Sequence, residues 1–543
     1  MLFPLSFFDD LPIPELARRI VNEMDDDQAL AQTFMLGWVG AEPSPLILNW
    51  IRERNIGGVK IFGWNTEDTL RLARTVGALQ ADALKTVFSI PLLVATDQEG
   101  GWVRHVKGAT SETPGNMAIG ASGYPMDAYR SGFFIGRELS LLGINMNFAP
   151  SVDLYTNRDS VLIGPRSFGI DPVRAGVLGA AFVKGQEAAG IIATAKHYPG
   201  HGDTDQDSHG VLPRIEIPFE ILWERELIPY RLMVKEGLPA VMSGHLAFPK
   251  TQAGEYPASL SAWFLKDILR DRMEYRGLII TDDLLMNGAA MFAGSVSRAA
   301  RAALMAGNDI IMLSKTPNMF DPVWTSLALS MKDDKEFNSQ VREAAQRILE
   351  TKLKYLRGEN SVPYIPDLKK VEEGLPDQEG AAFFLDLAAR SVTIVKDTDS
   401  GGKPVFPLNP ENAGRVLLAG RYGDFFSAGE RAFPGSLSFR FPGRSSYELV
   451  RSARNADTVI FCLSEAGDLA LLQSLKDMGK KVIIFSVLSP VVMEEAFWAD
   501  GALAVYSYAP ESFVAGFSAI LGRIKPGGQL PFPLADLTKN SGN

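Results

Sequence analysis

Cysteine is almost missing from this chain: among 543 residues only Cys462 carries a thiol. An internal disulfide is therefore excluded, and so is a zinc site built on several thiolates. Histidine is nearly as scarce, with five in all, so any place where histidines gather is informative. No uninterrupted apolar stretch approaches the roughly 18 residues that a bilayer-spanning helix requires. Positive charge is in deficit as well. The 54 Lys and Arg against 64 Asp and Glu leave a formal net charge of −10, which argues against nucleic acid or an anionic membrane as partner. The start, Met1-Leu-Phe-Pro-Leu-Ser-Phe-Phe-Asp-Asp, has no basic region and turns acidic at once, unlike a secretory signal. Taken as a complete product, the chain is expected to be cytoplasmic.

What is present is ordinary globular material, 46% hydrophobic and 22% charged. The length exceeds what one core accommodates, so at least two domains are expected. From Gln32 to about Leu356 short apolar runs alternate with amphipathic stretches. The runs expected to be strands are Phe34–Trp38, Gly58–Phe62, Leu92–Thr96, Ile144–Phe148, Ile191–Ala195, Ala240–Ser243, Leu278–Thr281 and Asp309–Leu313. Helical patterns between them include Asp127–Leu141, Pro172–Glu187, Phe219–Lys235 and Val296–Ala306. Eight such alternations match a (β/α)8 TIM barrel over residues 1–357, with an open doubly wound sheet as the competing architecture. Residues 358–380 lose any apolar period and read as a linker. Beyond it, residues 381–543 alternate again, with strands expected at Ser391–Val395, Arg415–Ala419, Thr458–Leu463, Lys481–Val487 and Ala502–Tyr506. Helical stretches expected at Leu469–Met478 and Pro510–Leu521 complete an α/β sandwich with a mostly parallel sheet. No histidine falls in it, so a structural or lid role is expected there rather than catalysis.

Residues 196–210 hold three of the five histidines, three aspartates and a lysine. Their glycines and proline let the backbone turn tightly, so these groups can converge on one small volume. All five histidines, His105, His197, His201, His209 and His245, come soon after an apolar run. In a TIM barrel the strands' C-terminal ends carry the chemistry. Asp97, Lys196, Ser243, His245 and Asp282 all stand at such ends. Successive strand side chains point to opposite faces, so only one of Asp282 and Asp283 readily faces the barrel axis. Asp282, nearer the strand, is selected for attack on an anomeric carbon or for holding a metal, and Asp283 is expected to cap the next helix. Asp207 and His209, two apart in an extended loop, share one side, so the carboxylate fixes the tautomer of the imidazole and stabilises its protonated form. Asp203 and Asp205 share the same spacing, and adjacency alone favours Asp207. Asp97, Arg166 and Lys196 suit the forked recognition of neighbouring hydroxyls, although each alone is equally well a structural ion pair.

Five ordered motifs add a resemblance. Asp97-Gln-Glu-Gly-Gly101, Asn147-Phe-Ala-Pro150, Arg166-Ser-Phe-Gly169, Lys196-His-Tyr-Pro-Gly-His-Gly-Asp-Thr204 and Asp207-Ser-His209 resemble glycoside hydrolase family 3, in its β-N-acetylglucosaminidase branch. Thr281-Asp-Asp-Leu284 followed by Met286 resembles the nucleophile motif of that branch, and Gly527-Gly-Gln-Leu-Pro531 a closing signature. The resemblance implies Asp282 as nucleophile and His209, assisted by Asp207, as acid/base, with sugar contacts from Asp97, Arg166, Lys196 and His197. It also implies a small N-acetylglucosaminide substrate such as a peptidoglycan fragment. Trp102 departs from it, standing where the family often carries an arginine. Nucleophile and proton carrier supply both halves of retaining hydrolysis, so no cofactor or metal is expected. Four rivals stay open: a family-related β-glucosidase or β-xylosidase, a phosphorylase using phosphate in place of water, a metal-dependent hydrolase built on His197, His201, Asp203, His209 and Asp282, and a non-catalytic sugar-binding protein. The oligomeric state is not legible.

Overall fold

The apolar runs of the first domain become the staves of one closed barrel. The computed structural model describes residues 5–206, 210–399 and 401–535. Its barrel strands are β1 (Phe34–Gly37), β2 (Gly58–Lys60), β3 (Leu93–Thr96), β4 (Met146–Asn147), β5 (Ile192–Tyr198), β6 (Ala240–Ser243), β7 (Leu278–Asp283) and β8 (Ile310–Leu313). All neighbours run parallel in the order β1-β8-β7-β6-β5-β4-β3-β2, and β1 closes on β2. The fold is the expected TIM barrel. Ala240–Ser243 has its expected bounds, while β5 runs on from Ala195 to Tyr198 and so takes Lys196 and His197 into the strand.

Local chemistry explains the helices. Pro172 begins helix α1 (Pro172–Ala188), where its missing N–H costs nothing, and the Asp171 side chain accepts from Val173 N and Arg174 N. This helix lies against the helix Pro125–Leu141. Their backbones meet closely because a Cβ on Gly132 would sit 2.2 Å from Phe182 O, and one on Gly185 would sit 1.9 Å from Tyr129 O. The helix expected over Phe219–Lys235 is in fact two, Phe219–Glu224 and Ile228–Lys235. Pro229 has no N–H to continue the first helix and instead starts the second. Among the described residues no helix is long and apolar enough to cross a membrane.

The segment 358–380, read from sequence as a linker, carries a helix at Leu368–Gly374 and the start of another at Gln378–Ser391. Val362, Val371 and Leu375 are buried in the barrel's core cluster, so this stretch is a strap packed on the barrel. Its helix is too short to show a period, which is why the sequence pattern hid it. The second domain has six strands: β9 (Thr393–Asp397), β10 (Val416–Gly420), β11 (Leu437–Arg440), β12 (Thr458–Leu463), β13 (Lys481–Ser486) and β14 (Gly501–Ala504). They run β9-β14-β13-β12-β10-β11, parallel throughout except β9 against β14. β11 was not expected. It is an edge strand in which only Phe439 is buried, so its sequence Leu-Ser-Phe-Arg has no apolar run.

The two domains share packing. Met117, Ala118, Ala121 and Tyr155 of the barrel loops belong to the core cluster of the second domain. The closing motif then returns to the barrel: Gln529 N donates to Ala121 O at 3.0 Å and Ile170 N to Pro531 O at 3.1 Å. Gly169 permits this approach. Its φ is 132°, and a Cβ there would stand 2.4 Å from Pro531 O. Gly169→Ala is expected to lose about 2 kcal/mol or more through backbone strain and displacement of this segment. A lowered urea midpoint together with faster proteolysis near residue 530 checks it, and unchanged behaviour contradicts it.

Candidate functional site

The C-terminal ends of the barrel strands converge on a buried, nearly balanced set of charges. At its centre is Glu99, in the hairpin Gln98–Gly100/Val103–Arg104 that follows β3, with its side chain 1% exposed. Arg166 grips it in a bidentate fork, Nε to Oε2 at 2.9 Å and Nη2 to Oε1 at 2.7 Å. Lys196 Nζ reaches the same carboxylate at 2.6 Å and Asp97 at 2.5 Å. Asp97 is held from the other side by Lys60 Nζ at 2.8 Å. Lys60 is itself fully buried on β2, and its Nζ also donates to Ile61 O at 2.8 Å.

These contacts set the charge states. Burial raises the Asp97 carboxyl, but Lys196, Lys60 and His105 outweigh that and hold it well below the usual range. Burial likewise opposes ionisation of Glu99, and Arg166 with Lys196 reverses it. Burial disfavours the Lys196 cation, yet Asp97 and Glu99 raise its pKa above the ordinary value. For Lys60 burial prevails over Asp97 and the pKa is lowered. His105, pushed down to about 4 by burial and by Lys60, offers Nδ1 to Lys60 Nζ at 3.2 Å, and as a neutral ring it accepts there.

A second arm is organised by Asp153, a fully buried residue following β4. It accepts from Ser151 Oγ at 3.0 Å, from His201 N at 2.7 Å and from His197 N at 3.2 Å. His197 Nδ1 lies 2.7 Å from Asp153 Oδ2. The carboxylate accepts, so Nδ1 carries the proton and Nε2 is left to accept from Arg166 Nη2 at 3.4 Å. The Asp153 pKa is driven down because His197 and His201 outweigh its burial. Beyond Tyr198 the chain must pass close to the β4 loop. A Cβ on Gly202 would sit 1.5 Å from Leu154 O, so only glycine fits there.

Asp282, the last residue but one of β7, lies in the same field. Burial would raise its carboxyl, but His197, His245, the Asp283 amide and Lys196 together hold it below the ordinary value, leaving an ionised oxygen acid at the mouth. Asp283 behaves oppositely: burial raises it above the ordinary value against the bonds from Ser314 and Leu285. The expectation that Asp283 caps the next helix is not met. Helix Asn287–Ala293 begins after Met286 without a side-chain cap, whereas Asp283 Oδ1 accepts from Leu285 N and Ser314 N, both at 3.0 Å. It ties the end of β7 to the end of β8. His245 supports this turn through Nε2 to Asp283 O at 3.0 Å. A carbonyl only accepts, so Nε2 is the protonated nitrogen and Nδ1 takes the Ser259 hydroxyl at 2.7 Å.

Of the residues selected from sequence, the structure joins Asp97, Arg166, Lys196 and His197 in one network and sets Asp282 within its field. Asp207 and His209 lie outside the described residues. Asp203 is turned away to Arg225 at 2.7 Å, and among the described residues no three His, Cys, Asp or Glu are grouped to hold a metal ion. Lys60, Glu99 and Asp153 were missed as site residues. The signal for Lys60 was a lysine inside the apolar run Gly58-Val-Lys-Ile-Phe62, and for Asp153 a carboxylate just past a strand end.

His201 generates a pH prediction. Both ring nitrogens are buried without a hydrogen-bond partner among the described residues, and burial together with His197 lowers its pKa to about 4. In the unfolded chain the ring titrates at the ordinary value, so protons favour unfolding. Stability is complete above about pH 6.5 and falls as pH drops toward 4, by about 2 kcal/mol for this group between about pH 7 and pH 5. His105 acts in the same direction. His201→Gln should flatten the slope of urea stability against pH in that window, and an unaltered slope contradicts the assignment.

Comparison with known proteins shows the family. The family model described as "Glycosyl hydrolase family 3 N terminal domain" matches residues 28–351. A "Beta-hexosaminidase A" from Pseudoalteromonas piscicida is 34% identical over 333 residues, 57% of this chain and 55% of that protein, so the chain spans little more than half of that relative. A "Beta-N-acetylglucosaminidase/beta-glucosidase" from Cellulomonas fimi is 30% identical over 414 residues, 74% of this chain and 69% of that protein. Among solved structures, a glycoside hydrolase family 3 β-N-acetylglucosaminidase from a Paenibacillus species superimposes with a TM-score of 0.83 at 27% identity, covering 94% of this chain and 99% of the other. With that family model over residues 28–351, more than half of its length, the chain belongs to glycosyl hydrolase family 3.

Proposed function

We propose that this chain is a retaining β-N-acetylglucosaminidase acting on terminal β-linked N-acetylglucosamine, as in peptidoglycan fragments and related glycosides. The observation that carries the proposal is the position of Asp282, a buried carboxylate at the C-terminal end of β7 within the field of Lys196 and its network. The names of the relatives described above support the sugar.

The proposed chemistry has two displacements. An Asp282 oxygen attacks the anomeric carbon as protonated His209 gives its proton to the glycosidic oxygen, and the aglycone leaves as an alcohol. A glycosyl–aspartate ester results. Neutral His209 then takes a proton from water, the water oxygen attacks the same carbon, and Asp282 departs as the carboxylate. Asp207 stabilises the imidazolium. Asp97, Lys196, Arg166 and His197 present a fixed pattern of acceptors and donors to the sugar hydroxyls. Because these groups already hold one another, their positions need little reorganisation when the substrate enters.

Asp282→Ala is expected to lower kcat on an aryl N-acetyl-β-glucosaminide by about 10⁴-fold or more. Asp283→Ala acts only through the turn it ties and should cost far less. Equal losses, read from initial rates of correctly folded variants, would reject Asp282 as the nucleophile.

His209→Ala should show a rate loss that grows with the pKa of the leaving group, from slight for a nitrophenolate to about 10³-fold for a sugar alcohol. Single-turnover measurement of the glycosylation step over a series of phenols checks this. A loss independent of the leaving group would mean that His209 only positions substrate.

A further inference from the structure

Lys60 is an unfavourable residue to bury for packing alone. It is the last residue of β2, its side chain is 0% exposed, and its neighbours Val59 and Ile61 are buried apolar residues. An apolar side chain of similar volume ordinarily serves a core as well as a buried ion pair does. An ammonium has three N–H donors and no acceptor. All three of Lys60 are engaged, with Asp97 Oδ2 at 2.8 Å, Ile61 O at 2.8 Å and His105 Nδ1 at 3.2 Å. The ring centroids of Phe62 and Phe148, 4.3 and 5.5 Å from Nζ, add cation–π contacts around the same head.

Two side chains at the barrel mouth are fixed by this arrangement. Asp97 has a cation on each carboxylate oxygen, Lys196 on Oδ1 and Lys60 on Oδ2. Lys196 alone would leave the carboxyl free to turn about its own axis, whereas the two together lock it. The side chain of Asp97 is 15% exposed, and a carboxylate has more acceptor sites than these two bonds use. His105 is brought back beside Asp97 by the hairpin after β3, its backbone N–H donating to Asp97 O at 2.9 Å and its ring centroid 5.7 Å from that of Phe62. Because Lys60 only donates, Nδ1 accepts and the proton of the neutral ring sits on Nε2. The side chain is 30% exposed, and its Nε2 has no hydrogen-bond partner among the described residues.

We propose that Lys60 is a positioning residue for sugar recognition, holding Asp97 and His105 so that an acceptor and a donor act together on one hydroxyl. The proposal rests on the glycoside hydrolase reading of this site and adds the residue that sets its hydroxyl specificity. A hydroxyl both donates and accepts. A carboxylate oxygen with an imidazole ring beside it, Nδ1 being 3.6 Å from Asp97 Oδ2, meets both needs once the tautomer leaves the proton on Nε2. A sugar lacking that hydroxyl leaves both groups unpaired, which is how a polar site rejects an analogue most strongly. Lys60, wholly buried, acts only through these two side chains.

The test compares kcat/KM for one aryl N-acetyl-β-glucosaminide with its 3-deoxy, 4-deoxy and 6-deoxy analogues, all bearing the same phenol. In the parent chain one of the deletions is expected to lower the rate by about 100-fold. Lys60→Met keeps the volume and removes the ammonium. It should lower kcat/KM on the complete sugar by about 30-fold, yet stay within about twofold of the parent on that one deoxy analogue. On the other two analogues it should lose as much as on the complete sugar. A merely structural role would lower all four rates alike. His105→Phe keeps a ring against Phe62 and removes the donor, and it should show the same selectivity at the same position with a smaller loss. It carries the test by itself if Lys60→Met does not fold. Losses equal on all four substrates, absent on all four, or centred on different positions in the two variants would overturn the assignment and leave the hydrolase reading standing. No turnover of the complete sugar by the parent chain would overturn that reading, and this assignment with it.

Discussion

The carboxylate of Glu99 is the constraint on which the rest of the site depends. It is buried, and it is shared by Arg166 at 2.7 Å and Lys196 at 2.6 Å. A buried cluster of this kind is a poor device for stability, since well-packed apolar groups of similar volume generally do as well. Its value is geometric. Three separate segments, the hairpin after β3, the turn after β4 and the C-terminal half of strand β5, are fixed to one another through a single side chain. Asp97 and His197 inherit their positions from that junction, through Lys196 and Arg166 respectively.

Asp153 performs the same service for the chain leaving β5. By accepting the backbone N–H groups of His197 and His201 it pins this segment before it reaches the residues proposed to carry the proton. Gly202, pressed on Leu154 O, makes that close passage sterically possible. The chain leaving β5 is thus fixed by the barrel as far as Gly202. Burial leaves Glu226, which follows Arg225 in the break between two helices, with a carboxyl raised to about 7 despite its contact with Arg225.

The second domain is packed onto the barrel loops. Its closing segment hydrogen-bonds to Ala121 O and Ile170 N, and its core takes in Met117 and Tyr155 from the barrel.

How much was legible depended on whether the information was local. Barrel strands are buried on both faces, so each is a short apolar run, and all eight could be placed from their sequence alone. Strand-end position singled out Asp97, Lys196 and Asp282 for the same reason. Edge strand β11 and the strap helix Leu368–Gly374 were hidden because one is mostly exposed and the other is too short to repeat a pattern. By itself the sequence determined the barrel, the alternation of the second domain and which strand ends carry charge, because these follow from hydrophobic periodicity and motif spacing. Only the tertiary structure decided who partners whom. Lys60, Glu99 and Asp153 matter through contacts with residues far along the chain, and Asp283 serves β8 rather than the next helix. Such pairings arise from barrel closure, which brings together side chains that no local pattern relates.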